Sequence, residues 1–177
     1  LNPASIGIDI MLSEPEADTD GDAALAAAIA RSGRVVLPAY VRSYSLPRHV
    51  QWYISQRLPL LPITELAQAA RGLGHVSAIH DPDGAVRRVP AVVGVPDGFV
   101  PAFATEVVRV GVEGQGTRSS ASDGGLDFRP GAQAVVGGYR MPLDSTSSMC
   151  PVFPWPPAAE RISAARLLAN APPEAPI

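Results

Sequence analysis

Four side chains able to ligate a metal crowd together in this sequence, His75, His80, Asp81 and Asp83, and such a set is the raw material of a catalytic metal site. Their spacing argues against it. His75 and His80 differ by an odd number of positions, so on one strand they point to opposite faces and cannot share an ion without a bulge. Metal is therefore expected to be absent, and no cofactor is called for. The lone Cys150, next to Pro151, has no base placed near it, and a small buried apolar side chain is its expected role. The triplet Asp18, Asp20 and Asp22 lacks the closing glutamate of a calcium loop, the corresponding residue being Ile29, and helix capping accounts for it. No phosphate-cradling loop, nucleophile elbow, Cys-x-x-Cys or His-Glu-x-x-His pattern occurs.

Two further groups could hold a ligand. Arg87 and Arg88, following the acidic turn, form either a clamp for an anion or a tie to carboxylates such as Asp9 and Glu14. The stretch from Val41 to Pro62 has no clean period and carries Arg42, Tyr44, Arg48, His49, Trp52, Tyr53 and Arg57. Aromatic rings give contact area at low entropy cost, and guanidinium groups grip carboxylate or phosphate, so this loop could line a small-molecule pocket. Equally, it could pack its aromatics over a sheet. Candidate ligand-binding residues are Tyr44, Trp52, Tyr53, Arg87 and Arg88; Asp9, Glu14, Asp83 and Gly84 are candidate structural landmarks.

The elements that must position these residues are readable from pattern. Ala4 to Met11, with closely spaced isoleucines, suits a buried strand in which Asp9 must be paired or face a cleft. Asp20 or Asp22 can cap a helix over Ala23 to Ala30, with Arg31 in its last turn and Gly33 as C-terminal cap. Val35 to Ala39 then completes a βαβ unit, right-handed if the strands are parallel. Thr64 can cap a second helix, Glu65 to Arg71, stopped by Gly72. From Gly74 to Pro90, two apolar half-runs flank Asp81-Pro82-Asp83-Gly84, a type I turn whose glycine can go left-handed, so a β-hairpin is expected. Its second strand puts Val86, Arg88 and Pro90 on one face, and Pro90 implies an edge or a bend.

Beyond a turn at Pro96-Asp97-Gly98, Pro101 should open a third helix with Phe103, Val107 and Val110 as its apolar stripe and Gly111 as its end. Residues 111–125 read as a mobile loop. Short strands are expected at Leu126 to Arg129, Ala134 to Val136 and Met149 to Phe153, and a last helix at Ser163 to Ala169 with Leu167 and Leu168. The proline run at 151–157 should carry the chain away extended.

Composition sets the frame. With 177 residues, 46% hydrophobic and 18% charged, the chain can bury one core. Nineteen prolines and sixteen glycines call for long irregular connections. A net charge of -3 offers no field for nucleic acid. One cysteine excludes an intrachain disulfide. No apolar window is long enough for a membrane span, and the start at Leu1 reads as an excised or processed piece.

Taken in order, Ile6-Gly7-Ile8-Asp9-Ile10-Met11-Leu12-Ser13-Glu14-Pro15, Asp22-Ala23-Ala24-Leu25, Val35-Val36-Leu37-Pro38, Gly74-His75-Val76, Asp81-Pro82-Asp83-Gly84 and Arg87-Arg88-Val89-Pro90 resemble the second type of CHASE domain, the cyclase/histidine-kinase-associated sensory extracellular domain. Pro101-Ala102-Phe103-Ala104, Met141-Pro142-Leu143-Asp144 and Ile162 to Leu168 fit the later part of the same pattern. The resemblance implies an extracytoplasmic, periplasmic sensory module of a bacterial inner-membrane receptor, without enzyme activity of its own. Its output would be a cyclase, such as an adenylate or diguanylate cyclase, or a histidine kinase, lying outside this chain. The family's earlier strand and helix, and its later strand leading to membrane spans, have no counterpart here, and Asp144-Ser145-Thr146 lacks a glycine the family often has.

The expected fold is therefore α/β, a mixed β-sheet flanked by helices in a single domain with long Pro/Gly-rich loops. Residues 1–170 would form the sensory domain and residues 171–177 a disordered tail. The signal would be a small molecule or a periplasmic protein, with self-association as a dimer through an exposed edge of the Ile6 to Met11 strand. A protein-interaction or dimerisation module without small-molecule ligand is the alternative, and a metal-dependent enzyme a third class.

Overall fold

The computed structural model describes residues 2–17, 19–42, 44–113, 125–152 and 163–169. The expectations for the 114–124 loop, the 153–162 proline run, Asp18 and the 171–177 tail lie outside those residues. The chain forms a mixed α/β body in which short strands gather into four three-stranded sheets. The expected α/β class holds, with the strands shared among small sheets rather than one large one.

The first sheet is the βαβ unit. Strand β1, Ile6–Gly7, leads through helix α1, Thr19–Ser32, to β2, Val35–Ala39, and the two strands pair in parallel. Helix α1 is longer at both ends than its alanine run alone predicts. Asp20 and Asp22 lie within its first turn rather than at its cap, and the Asp22 carboxylate accepts the Glu16 N–H at 2.9 Å. Gly33 closes it in the left-handed region, φ 62°, donating to the Ile29 carbonyl at 3.1 Å. Every residue of β2 is buried, and Ile29, Val35, Leu37 and Leu66 form the core on the face of α1.

The β1 strand is shorter than the isoleucines imply. Only Ile6 and Gly7 pair with β2, while Asp9, Ile10 and Met11 are exposed as the chain leaves the sheet. Helix α2, Thr64–Ala69, also differs. Its N-cap position is Ile63, with no side-chain cap hydrogen bond, so Thr64 is the first helical residue. Gly72 does not merely stop this helix; it begins β4, Gly72–His75, which pairs in parallel with β2 on the side away from β1.

The glycines of β4 have a packing reason. Helix α3, Phe103–Glu113, lies across β1, β2 and β4, and its backbone comes so near that a methyl on Gly74 would sit 2.5 Å from the Phe103 Cα. A methyl on Gly72 would strike the Glu106 carboxylate. This helix starts two residues after Pro101 and runs past Gly111 to Glu113. Glu106 is buried on it, held by the Arg109 guanidinium, which also reaches Glu113 at 2.6 Å.

The expected hairpin is divided. Its first half-run is shared between β4, which belongs to the parallel sheet, and β5, Ile79–His80, which pairs antiparallel with β6, Val86–Pro90. The turn between them matches the expectation: Gly84 donates to the Asp81 carbonyl at 2.8 Å, with φ 80°. Of the two readings of Pro90, the bend holds. Strand β6 is central in its sheet, flanked by β5 and by β12, Ser148–Met149, and Pro90 stands opposite Ser148 just before the chain bends at Ala91.

Strands β7, Val92–Val95, and β8, Gly98–Pro101, form the next hairpin, joined on β7 by β3, Tyr53–Ile54, in parallel. The last sheet contains β9, Leu126–Arg129, β10, Gln133–Val136, and β11, Tyr139–Pro142, with the Gly137–Gly138 turn between the latter two. Helix α4, Ala164–Ala169, ends the described chain. The turn after Asp144 dispenses with glycine because Ser147 takes the left-handed conformation, φ 59°, while its hydroxyl accepts the Gly131 N–H at 2.8 Å.

Candidate functional site: a crevice at the strand ends

In parallel α/β sheets, ligands favour the crevice beyond the carboxyl ends of the strands. Strands β2 and β4 end side by side at Ala39 and His75. The Ser77 hydroxyl then ties the two exits together, accepting the Val41 N–H and donating to the Val41 carbonyl, both at 3.2 Å. Beyond that tie the chains separate. The gap is a crevice of about 420 Å³, walled by Tyr40, Arg42, Tyr44, Val76, His80 and Val86 as well as Ser77.

Tyr44 is fixed on two sides. Its hydroxyl donates to the Ala78 carbonyl at 2.6 Å, and its ring meets Tyr53 edge to face, with centroids 5.4 Å apart and planes at 86°. Burial pushes the Tyr44 phenol up, with Tyr53 and Tyr40 adding to the effect, so it stays a neutral donor. Arg42, His80 and the Tyr40 ring, 43% exposed, stand at the solvent side.

Trp52 goes elsewhere. Consecutive residues on β3 and its approach point oppositely, and Trp52 packs against Phe99 of β8, with ring centroids 6.2 Å apart. The structure thus brings Tyr44 and Tyr53 together and leaves Trp52 on a separate face.

Arg87 and Arg88 close on their own turn, not on Asp9 or Glu14, which are exposed. Arg87 donates to Asp81 at 3.0 Å and to Asp83 at 2.8 Å, and Arg88 to the other oxygen of Asp81. Hydrogen bonds from Arg88 and then Arg87 hold the Asp81 carboxyl below its ordinary value; Arg87 and the Ala85 N–H do the same for Asp83. Those guanidinium groups are occupied. Arg88 also lies within electrostatic reach of Tyr53, and neither residue lines the crevice.

The four-ligand cluster does not assemble. His75 is fully buried at the end of β4, whereas His80 is exposed on β5, and no group of three or more metal-ligating side chains is found among the described residues. Neither His75 ring nitrogen has a hydrogen-bond partner; burial pushes the imidazole down to about 4, while the nearby carbonyls of Pro90 and Ser77 oppose this without reaching hydrogen-bond geometry. Cys150 is exposed, because it lies beyond the end of the short β12 rather than in the core.

Two other cavities carry charges that are already matched. One of about 560 Å³ under β9 contains Glu106 and Arg109, bound to each other. Another of about 420 Å³ contains Arg34, spent on Asn2 and Pro3, and Arg71, paired with Glu113. Sequence reasoning had Arg42, Tyr44 and Tyr53 within its aromatic loop but overlooked Tyr40 and Ser77. Their signal was positional, since Tyr40 directly follows β2 and Ser77 comes two residues after the end of β4.

A small α/β body with a ligand-sized crevice at its strand ends has the outline of a binding domain. The family model of the CHASE2 domain matches residues 1–176, and the chain belongs to that family. CHASE2 domains are sensory domains, generally non-catalytic and typically the extracytoplasmic input of cyclases and kinases. No curated protein and no solved structure matches the chain. Among the described residues, no helix is long and apolar enough to cross a membrane.

Proposed function

We propose that this chain is the periplasmic input domain of a bacterial inner-membrane receptor, anchored by segments outside the sequence given, and that its signal is a small molecule bound at the Tyr40–Tyr44 crevice. The output is a cyclase, a cyclic-dinucleotide enzyme or a histidine kinase. The observation that carries this reading is the coincidence of the sensory family, matched over residues 1–176, with an open crevice at the ends of β2 and β4. A ligand there touches the segments that leave both parallel strands and, through His80 and Val86, the β5–β6 hairpin. It favours whichever arrangement of those elements fits it better and so shifts a population rather than driving a reaction.

The full-length receptor tests this. Filling the crevice with Val86→Trp, at a position already 48% exposed, should fix the output at one level whatever signal is supplied. Unchanged signal response in that variant would sink the assignment of the crevice.

A second reading, a periplasmic interaction or dimerisation module, is favoured by the edge of β1, which in the described residues pairs only with β2 and lies beside Ile10, 59% exposed. Light scattering tests it. A monomer at high concentration counts against pairing of two copies along that edge.

A further inference from the structure

We propose that the crevice takes a small carboxylic acid, its carboxylate held by Arg42 and its carbon skeleton laid between Tyr40, Tyr44, Val76 and Val86. This rests on the reading of the crevice as the input site.

The protein as a whole is acidic, at -3, yet the residues lining this crevice include Arg42 and no carboxylate. The nearest acids on the hairpin, Asp81 and Asp83, are engaged by Arg87 and Arg88. Among the described residues no acidic side chain pairs with Arg42. A guanidinium at the mouth of a partly apolar cavity, with no internal counter-ion, is open to an anion from outside.

Hydrogen-bonding capacity points the same way. Ser77 has given its proton to the Val41 carbonyl and Tyr44 its proton to that of Ala78, so neither hydroxyl is available to donate into the crevice. The free donors are Arg42, an N–H of the exposed His80 and the Tyr40 hydroxyl, none of which has a hydrogen bond among the described residues. Of these groups only the Arg42 guanidinium is a donor that can never accept, and it suits an acceptor-rich, anionic ligand.

Shape selects carboxylate over phosphate. One planar guanidinium matches a carboxylate with two parallel hydrogen bonds, whereas phosphate sites gather several cations or a row of backbone N–H groups. Among the described residues no helix begins in the crevice lining; α1, α2, α3 and α4 start at Thr19, Thr64, Phe103 and Ala164. The remaining walls are aromatic and aliphatic, and a volume of about 420 Å³ leaves room for a skeleton of several carbons.

Acetate, succinate and benzoate, each beside its amide and with inorganic phosphate as competing anion, form a sufficient probe set for calorimetric titration of the chain. At least one acid should bind, and its amide should bind about tenfold or more weakly, since the charge-assisted pair is lost. Arg42→Gln should weaken the acid by a similar factor while leaving the melting temperature of the unliganded protein unchanged, because Arg42 is exposed and holds no internal partner. Tyr40→Phe provides a milder second variant. The proposal is overturned if none of the acids binds, if acid and amide bind alike, if phosphate alone binds, or if Arg42→Gln leaves the acid's affinity intact. Failure of the receptor reading shows differently: an acid that binds through Arg42 without altering receptor output removes the signalling role and upholds the ligand class.

Discussion

The Tyr44 hydroxyl donates to the carbonyl oxygen of Ala78 at 2.6 Å, joining the aromatic loop to the segment that runs from the parallel sheet into the β5–β6 hairpin. The same side of the crevice is also held by the ring contact with Tyr53, the paired backbone hydrogen bonds of Ser45 with Ile54 and the Ser77 tie to Val41. Tyr44→Phe keeps the ring contact and deletes only the hydrogen bond. A loss of about 1 kcal/mol is expected in urea unfolding, because the Ala78 carbonyl, part-buried, is left without its donor. An unchanged midpoint would show that the bond contributes nothing net.

Helix α3 depends on Gly74 in a different way. The Phe103 backbone occupies the space a side chain would need, and a backbone atom cannot rotate aside. Gly74→Ala should therefore cost about 3 kcal/mol by overpacking. Gly33→Ala is the natural comparison, since Gly33 has a positive φ of 62° but open space around its Cα. Its cost should be only about 1 kcal/mol, from conformation alone. Thermal unfolding of the two variants checks the order; a milder effect at Gly74 than at Gly33 would contradict the close approach.

These cases show which parts of the fold a sequence discloses. Signals that act within a few residues were legible: the alanine-rich run of α1 with Gly33 behind it, and the Asp81 to Gly84 turn. Choices made by distant partners were not. Thr64 looks like a helix cap, yet Ile63 takes that position because the chain enters α2 from a backbone bond between Ile63 and Leu12. Pro90 looks like an edge residue, but β12 arrives from far along the chain to pair beside it. The half-run before the hairpin is one apolar stretch in sequence and two strands in space, because β2 captures its first part. Of the candidate site, the tyrosines were visible as an aromatic cluster, whereas the separation of Trp52 from Tyr53 required the position of β7.

His75 sets the last prediction, on pH. The imidazole is 1% exposed with both nitrogens unpartnered, and burial lowers its pKa from 6.5 to about 4 in the folded protein. Between those values the unfolded chain binds a proton that the folded chain does not, so stability falls as pH drops through this window. By pH 5 the loss should reach about 2 kcal/mol relative to neutral pH. The carboxylates of Asp81, Asp83 and Asp144 are also held below their ordinary value, and their contribution is lost only at about pH 4 and below. Urea unfolding at pH 7, 6 and 5 isolates the histidine. His75→Leu should flatten the profile across that window, whatever its own effect at neutral pH. A wild-type profile already flat from pH 7 to 5 would mean that His75 finds a proton acceptor the buried geometry does not provide.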